Sequence, residues 1–326
     1  MRTSPVQGPC LPPAIPLGEE IMHTSETIAH VNGIDIAYDT FGDRSCPPVV
    51  LIMGLSMQMI SWEDDFCARL AHRGYWVVRF DNRDAGRSTK LDALGVPDLK
   101  TLLSGKPPAG LYTLQDMAED TVGLLDTLGI DSAHFVGASM GGMISQILGM
   151  DHPERVRTLT VVMSTTGSPL LPPPKPEAIR VLFMPFPTEE QSFVEYFVEM
   201  WGTLNGSTLP VDEQRIGIMA RRMFGRGLSV PGNARQLAAV YASGSRKERL
   251  GAVKAPTLVI HGDEDPLLPV ECGIDVARSI PGAELKVITG MGHALNPAVW
   301  DEIIDSVDRH VRASERSGRA GARIGT

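Results

Sequence analysis

Ala133-His134-Phe135-Val136, followed by Gly137-Ala138-Ser139-Met140-Gly141-Gly142, is the stretch whose reading decides the fold of this chain. A short apolar run, a serine between glycines and a helix-like run from Met143 to Met150 read as strand, sharp turn, helix. The chemistry explains the spacing. A serine on so tight a turn is forced into a strained backbone conformation, so its neighbours two residues away must be small. Its hydroxyl then stands clear at the carboxyl end of the sheet, beside a helix N-terminus whose free N–H groups can bind an oxyanion. The pattern G-x-S-x-G also arises by chance, as a glycine turn that only packs a helix on a strand. The flanking strand and helix are what favour Ser139 as a nucleophile.

Outward from this turn the chain alternates. Ala29-His30-Val31 and Ile34-Asp35-Ile36-Ala37 flank Asn32-Gly33, a strong hairpin signal. Val49 to Met53 reads as a buried strand, Trp62 to Arg73 as a helix and Tyr75 to Phe80 as the next strand. Thr113 can cap a helix running to Leu128, with Leu114, Met117, Ala118, Thr121, Val122, Leu125 and Leu128 on one face. Another strand follows from Val156 to Met163. This rhythm predicts an α/β fold: a mostly parallel sheet with helices on both faces and an antiparallel hairpin at one edge. Such sheets bind ligands beyond the carboxyl ends of their strands.

The rhythm breaks between residues 165 and 247. That segment opens on the Pro-rich run Pro169 to Pro176 and holds Phe183, Phe186, Phe193, Phe197, Phe224 and Trp201. It reads as a helical cap inserted between two core strands, a lid over Ser139 with an apolar underside. Any single one of these aromatics is better read as packing the cap helices together. The expected organisation is a flexible segment over 1–25, a core over 26–164 and 248–311, the cap over 165–247 and a flexible tail over 312–326.

Two partners for a nucleophilic serine follow in order. Thr257-Leu258-Val259-Ile260-His261 reads as a buried strand ending in Gly262-Asp263-Glu264-Asp265-Pro266, and a strand from Ala283 to Ile288 ends in Gly290-Met291-Gly292-His293. His293 fits a general base and either Asp265 or Asp263 its orienting acid. Taken singly, each Asp could be a turn residue and His293 a loop histidine; their joint placement just past strand ends is the signal. His261 reads as structural. The Asp81-Asn82-Arg83-Asp84-Ala85-Gly86-Arg87-Ser88 loop reads as a turn braced by its own charges beside the nucleophile.

With these pieces in place the chain resembles the α/β-hydrolase fold superfamily, whose order is Ser, Asp, His. More narrowly it is similar to a serine esterase branch that includes the anthracycline (aclacinomycin) methylesterases. The resemblance is carried by Leu51-Ile52-Met53-Gly54-Leu55-Ser56, by Arg79 to Thr89, by the serine turn, by Gly262 to Pro266 and by Ile280 to His293, over residues 26–311. It implies that the acid is Asp265, which precedes the proline, and that the oxyanion is held by the backbone N–H groups of Leu55 and Met140. One departure stands out: the family usually carries His-Gly where this chain has Met53-Gly54, which changes the support of the loop and not the donor.

Composition agrees with one catalytic domain and a lid. The chain has 326 residues, 43% hydrophobic and 21% charged, with a net charge of −9 and no basic stripe. Nucleic-acid binding is therefore not expected, and no apolar run approaches a membrane span. The first sixteen residues are Pro-rich without a continuous apolar core, which argues against a secretory signal. Cys10, Cys46, Cys67 and Cys272 show neither metal nor disulfide spacing and suit reduced thiols in the cytoplasm. The dinucleotide fingerprint, the P-loop and H-E-x-x-H are all absent from the sequence, so no cofactor and no metal are expected.

The expected activity is cofactor-independent hydrolysis of short-chain or methyl esters of apolar acids, with a small apolar ester as substrate. Perhydrolase (haloperoxidase) chemistry or C–C bond hydrolysis could use the same triad. A slow-turnover ligand receptor on the same scaffold is the reading from another class. A homodimer is compatible with the sequence.

Overall fold

The computed structural model describes residues 21–97 and 110–324, with side chains through Arg316. Eight strands form one sheet: β1 Thr27–Val31, β2 Ile34–Phe41, β3 Pro48–Ile52, β4 Trp76–Phe80, β5 Ala133–Ala138, β6 Val156–Val162, β7 Thr257–Gly262 and β8 Glu284–Ile288. Their order is β1-β2-β4-β3-β5-β6-β7-β8. The first two strands run antiparallel to their neighbours and the other six are parallel. Asn32-Gly33 closes the β1–β2 hairpin with both residues at positive φ (50° and 78°), as the twist of a two-residue turn requires.

The central strands are buried and mainly apolar because both faces are covered. Alternate side chains point to opposite sides. Val50, Ile52, Phe135, Leu159 and Val259 pack on one side with helices α2 (Leu114–Leu128), α3 (Met140–Asp151) and α8 (Val270–Ser279). Val49, Leu51, Val136, Val162 and Ile260 pack on the other with α1 (Asp64–His72) and α9 (Trp300–Ile324). Helix α2 begins where the sequence indicates. Thr113 and Asp116 cap each other reciprocally, and Gly129 ends the helix at φ 68°.

Between β6 and β7 lie four helices, α4 Pro176–Leu182, α5 Glu190–Leu204, α6 Glu213–Arg226 and α7 Val230–Ser243. They carry their own apolar centre. Phe193 stands within 6.2 Å, ring to ring, of Phe186, Tyr196, Phe197 and Phe224. Phe193 and Phe197 are buried in this cluster, whereas Phe183 is 53% exposed.

Two segments differ from expectation. The closing helix runs to Ile324, so the stretch read as a flexible tail from residue 312 continues α9. Arg312 donates to Asp308 and to Arg73 O, both at 2.7 Å, and Glu315 approaches His134 and Arg157. These docking contacts outweigh the Gly/Arg-rich composition. At the other end, residues 22–24 are tied to β2 instead of hanging free. Gly42 N donates to Met22 O, Thr24 N to Thr40 O, and the His23 ring stacks on Phe41 at 3.9 Å. The Pro-rich start of the chain and Cys10 lie outside the described residues. Cys46, Cys67 and Cys272 are free buried thiols.

Candidate active site

The serine turn is built by close backbone approach. A β-carbon on Gly137 would lie 2.3 Å from Gly141 O, and one on Gly141 would lie 2.0 Å from Ile52 O. Only glycine lets strand β5, helix α3 and the end of β3 meet at this point. Ser139 between them sits at φ 54°, ψ −118°, a strained conformation for a residue with a side chain. It is held there by its N–H donating to Val162 O at 2.9 Å and by Ser164 Oγ donating to its carbonyl at 2.7 Å.

The loops after β7 and β8 bring the partners. His293 Nε2 lies 3.0 Å from Ser139 Oγ, and His293 Nδ1 lies 2.7 Å from Asp265 Oδ2. With Nδ1–H directed at the carboxylate, Nε2 is left as an acceptor for the serine hydroxyl. Asp265 Oδ1 accepts from the N–H groups of Leu267 and Leu268 at 2.9 and 2.8 Å. Burial alone would raise the pKa of Asp265. The charge of His293 and the donors of His261 and His293 outweigh it and hold the carboxyl below the ordinary carboxylate range. The aspartate therefore stays ionised beside the imidazole. Asp263, the rival acid, is turned elsewhere: its Oδ1 accepts from Gly290 N at 2.7 Å and closes the β8 loop. His261 is buried, with Nε2 2.7 Å from Leu268 O and 3.5 Å from Asp265 Oδ2, so it stiffens the acid loop from below.

Leu55 follows Gly54, which packs directly on the serine: a β-carbon there would stand 3.0 Å from Ser139 Cβ. Met140 opens helix α3. Among the described residues neither Leu55 N–H nor Met140 N–H has a hydrogen-bond acceptor. Two free donors beside a serine suit a developing oxyanion. The charged loop after β4, read as a turn braced by its own charges, instead pairs its charges with other elements, Arg83 with Asp120 of α2 and both Asp81 and Asp84 with the cap. Asp81 pairs with Arg226, and Asp84 pairs with Arg235 at 2.7 Å. Among the described residues no group of three or more His, Cys, Asp or Glu side chains could hold a metal ion, and no helix is long and apolar enough to cross a membrane.

Sequence reasoning read the cap as a lid over Ser139 and missed the hydrogen bonds that hold the loops of this site in place. His293 N donates to Leu204 O, the last carbonyl of α5, at 2.7 Å. Glu264, beside the acid, accepts from Ser207 and Thr208 on the loop that follows α5, which takes its pKa down to about 2. Asn82 donates to Met53 O at 3.0 Å, and Gln236 of α7 accepts from Ser56 N at 2.8 Å. A backbone carbonyl has no sequence signal. Nor does a lone Gln within a helix.

This fold, with a serine, histidine and aspartate meeting at the carboxyl ends of its strands, defines an alpha/beta hydrolase. The family model for the alpha/beta hydrolase fold matches residues 47–210, and the chain belongs to that family. It is 32% identical over 300 residues to rhodomycin D methylesterase DnrP of Streptomyces peucetius, covering 84% of this chain and 93% of that one. It is also 33% identical over 287 residues, 84% and 92% of the two chains, to a 2-hydroxy-6-oxononadienedioate/2-hydroxy-6-oxononatrienedioate hydrolase of Burkholderia vietnamiensis. Among solved structures it superposes on an enol-lactonase of Burkholderia xenovorans with a TM-score of 0.67 at 22% identity, over 88% of this chain and all of that one.

Proposed function

We propose that the protein is a cofactor-independent serine hydrolase of carboxylic esters. Ser139 attacks the acyl carbon as its proton passes to His293 Nε2. Asp265 fixes the ring and stabilises the imidazolium. The N–H groups of Leu55 and Met140 take the tetrahedral oxyanion, one such donor being worth about 3 kcal/mol in the transition state. His293 returns the proton to the leaving alcohol, and water activated by the same base hydrolyses the acyl-enzyme. The observation that carries this reading is the continuous relay from Ser139 Oγ through His293 to Asp265, at 3.0 and 2.7 Å, with two unpaired N–H groups beside the serine.

The substrates we assign are methyl or short-chain esters of apolar acids, polycyclic ones included. Similarity to a methylesterase supports this. So does the apolar character of the flanking loops: Met57 beside the oxyanion donor and Leu267 beside the acid both join the cap's hydrophobic centre. C–C bond hydrolysis of ring-cleavage products is the second reading, favoured by the Burkholderia vietnamiensis relative. We place the enzyme in the cytoplasm, a reading that the three free buried thiols support.

The test is hydrolysis of p-nitrophenyl acetate, butyrate and octanoate by wild type and by Ser139→Ala. Multiple turnover in wild type should disappear in the variant while the circular dichroism is unchanged. Variant activity above about one per cent of wild type would remove Ser139 from the nucleophile's role, since losing a triad serine costs far more than that. Wild-type turnover of a ring-cleavage product without ester hydrolysis would favour the second reading.

A further inference from the structure

We propose that Gln236, a side chain of the cap, positions the oxyanion hole of the core. The inference rests on the ester-hydrolase reading and adds a residue outside both the triad and the oxyanion donors.

The N–H of Leu55 belongs to the peptide that joins Gly54 to Leu55. The peptides on either side of it are each held by a buried side-chain amide. On one side Asn82 Nδ2 donates to Met53 O at 3.0 Å, an anchor from the core. On the other, Ser56 N–H donates to Gln236 Oε1 at 2.8 Å, an anchor from helix α7. Gln236 is fully buried, and its Nε2 donates to Arg83 O at 2.7 Å, so both ends of the amide are fixed and its orientation is set. The neighbouring Arg235 is locked to Asp84 by two bonds of 2.7 and 2.8 Å, which fixes where α7 docks.

The loop needs such a hold. Ser56 lies at φ 63°, a region that a residue with a side chain occupies only when its surroundings impose it. Within the loop itself the closing contact, Met57 N to Gly54 O, is long at 3.3 Å. Without the acceptor at Gln236 the Leu55–Ser56 peptide is released, the turn relaxes about Leu55 Cα, and the adjoining Gly54–Leu55 peptide tilts its N–H away from the point where negative charge develops. A donor out of line by a fraction of an ångström loses much of its effect on the transition state while substrate binding is hardly touched. Docking of the cap and assembly of the oxyanion hole are therefore one event.

The experiment uses the full chain, p-nitrophenyl butyrate as substrate, and titration with a fluorophosphonate to count competent Ser139. Gln236→Met keeps the length of the side chain and removes both bonds. It should lower kcat by roughly tenfold to a hundredfold, part of the effect of losing a donor outright, with KM changed by less than about twofold. Its affinity for phenylboronic acid, which forms a tetrahedral adduct on the serine, should fall by a similar factor. Gln236→Glu keeps the acceptor for Ser56 and can donate to Arg83 O only when protonated. Its kcat relative to wild type should climb as pH is lowered from about 8 to about 5, burial having raised the carboxyl's pKa. Wild-type kcat and boronate affinity in the Met variant, or a loss confined to KM, would overturn the proposal. Should the Met variant not fold, a flat pH ratio for the Glu variant would overturn it equally. Absence of ester turnover in wild type is a separate result that sinks the ester-hydrolase reading and this inference with it.

Discussion

Ser139, His293 and Asp265 each sit one or a few residues past a strand end, and small differences in loop geometry decide which group serves. Asp263 and Asp265 show the point. Both follow β7, and the residues alone admit either as the acid. The structure gives Asp265 to His293 and Asp263 to the Gly290 N–H. Asp265→Asn should lower kcat by about 10⁴-fold, because an amide cannot hold the imidazole in the reactive tautomer. Asp263→Asn should stay within a few-fold, since the Asn carbonyl can still accept from Gly290 N–H. Steady-state kinetics on the two variants checks this, and the opposite ranking would move the acid to Asp263. The serine turn was legible because its chemistry dictates glycine at fixed offsets. Gln236 and Leu204 were not, because a side-chain amide in a helix and a backbone carbonyl look the same in sequence whatever they hold.

At the scale of elements, the cap is fastened to the core along two lines. The end of α5 holds the histidine loop through Leu204 O, and α6 and α7 hold the oxyanion loop and the loop after β4 through Arg226, Arg235 and Gln236. Arg235 and Asp84 are both fully buried, so removing the cation leaves a carboxylate in low dielectric with, among the described residues, only Tyr112 and Leu91 as donors. Arg235→Leu should destabilise the protein by about 3 kcal/mol, the lower end of the cost of breaking a buried pair. Arg249→Leu, which breaks an ion pair between more exposed side chains, should cost about 0–1 kcal/mol. Urea unfolding of the two variants measures the difference; equal costs would mean that the cap is not anchored through Arg235. Helix α2 was readable from its cap Thr113 and from the periodicity of its apolar face. The continuation of α9 past residue 312 was not, because it depends on side chains meeting distant elements: Arg312 on Arg73, Glu315 on His134.

For the whole molecule, pH enters through the buried acid. The folded pKa of Asp265 lies below its unfolded value, so the carboxylate contributes stability that is fully present above the ordinary carboxylate pKa of about 3.9 and is lost as pH falls toward the depressed folded value. The gap in urea midpoint between wild type and Asp265→Asn should hold from neutral pH down to about pH 4 and narrow only below it. A gap that stays constant below about pH 4, or that widens as pH falls from about 7 to about 5, would show that the folded pKa of Asp265 is not depressed.

The sequence by itself determined the alternation of strands and helices, the antiparallel hairpin, the serine turn and the order in which base and acid follow it. Each of these is written in local spacing: a period of two or near four, a glycine where backbones must touch, a strand end before a functional loop. Only the tertiary structure decided which aspartate faces the histidine, which aromatics of the cap pack inward, and that Met53's loop is braced from both core and cap. The bonds that choose the aspartate and brace the Met53 loop join residues 28 to 180 positions apart. No local pattern encodes such a meeting; it exists only once the sheet has ordered its strands and the cap has docked on their carboxyl ends.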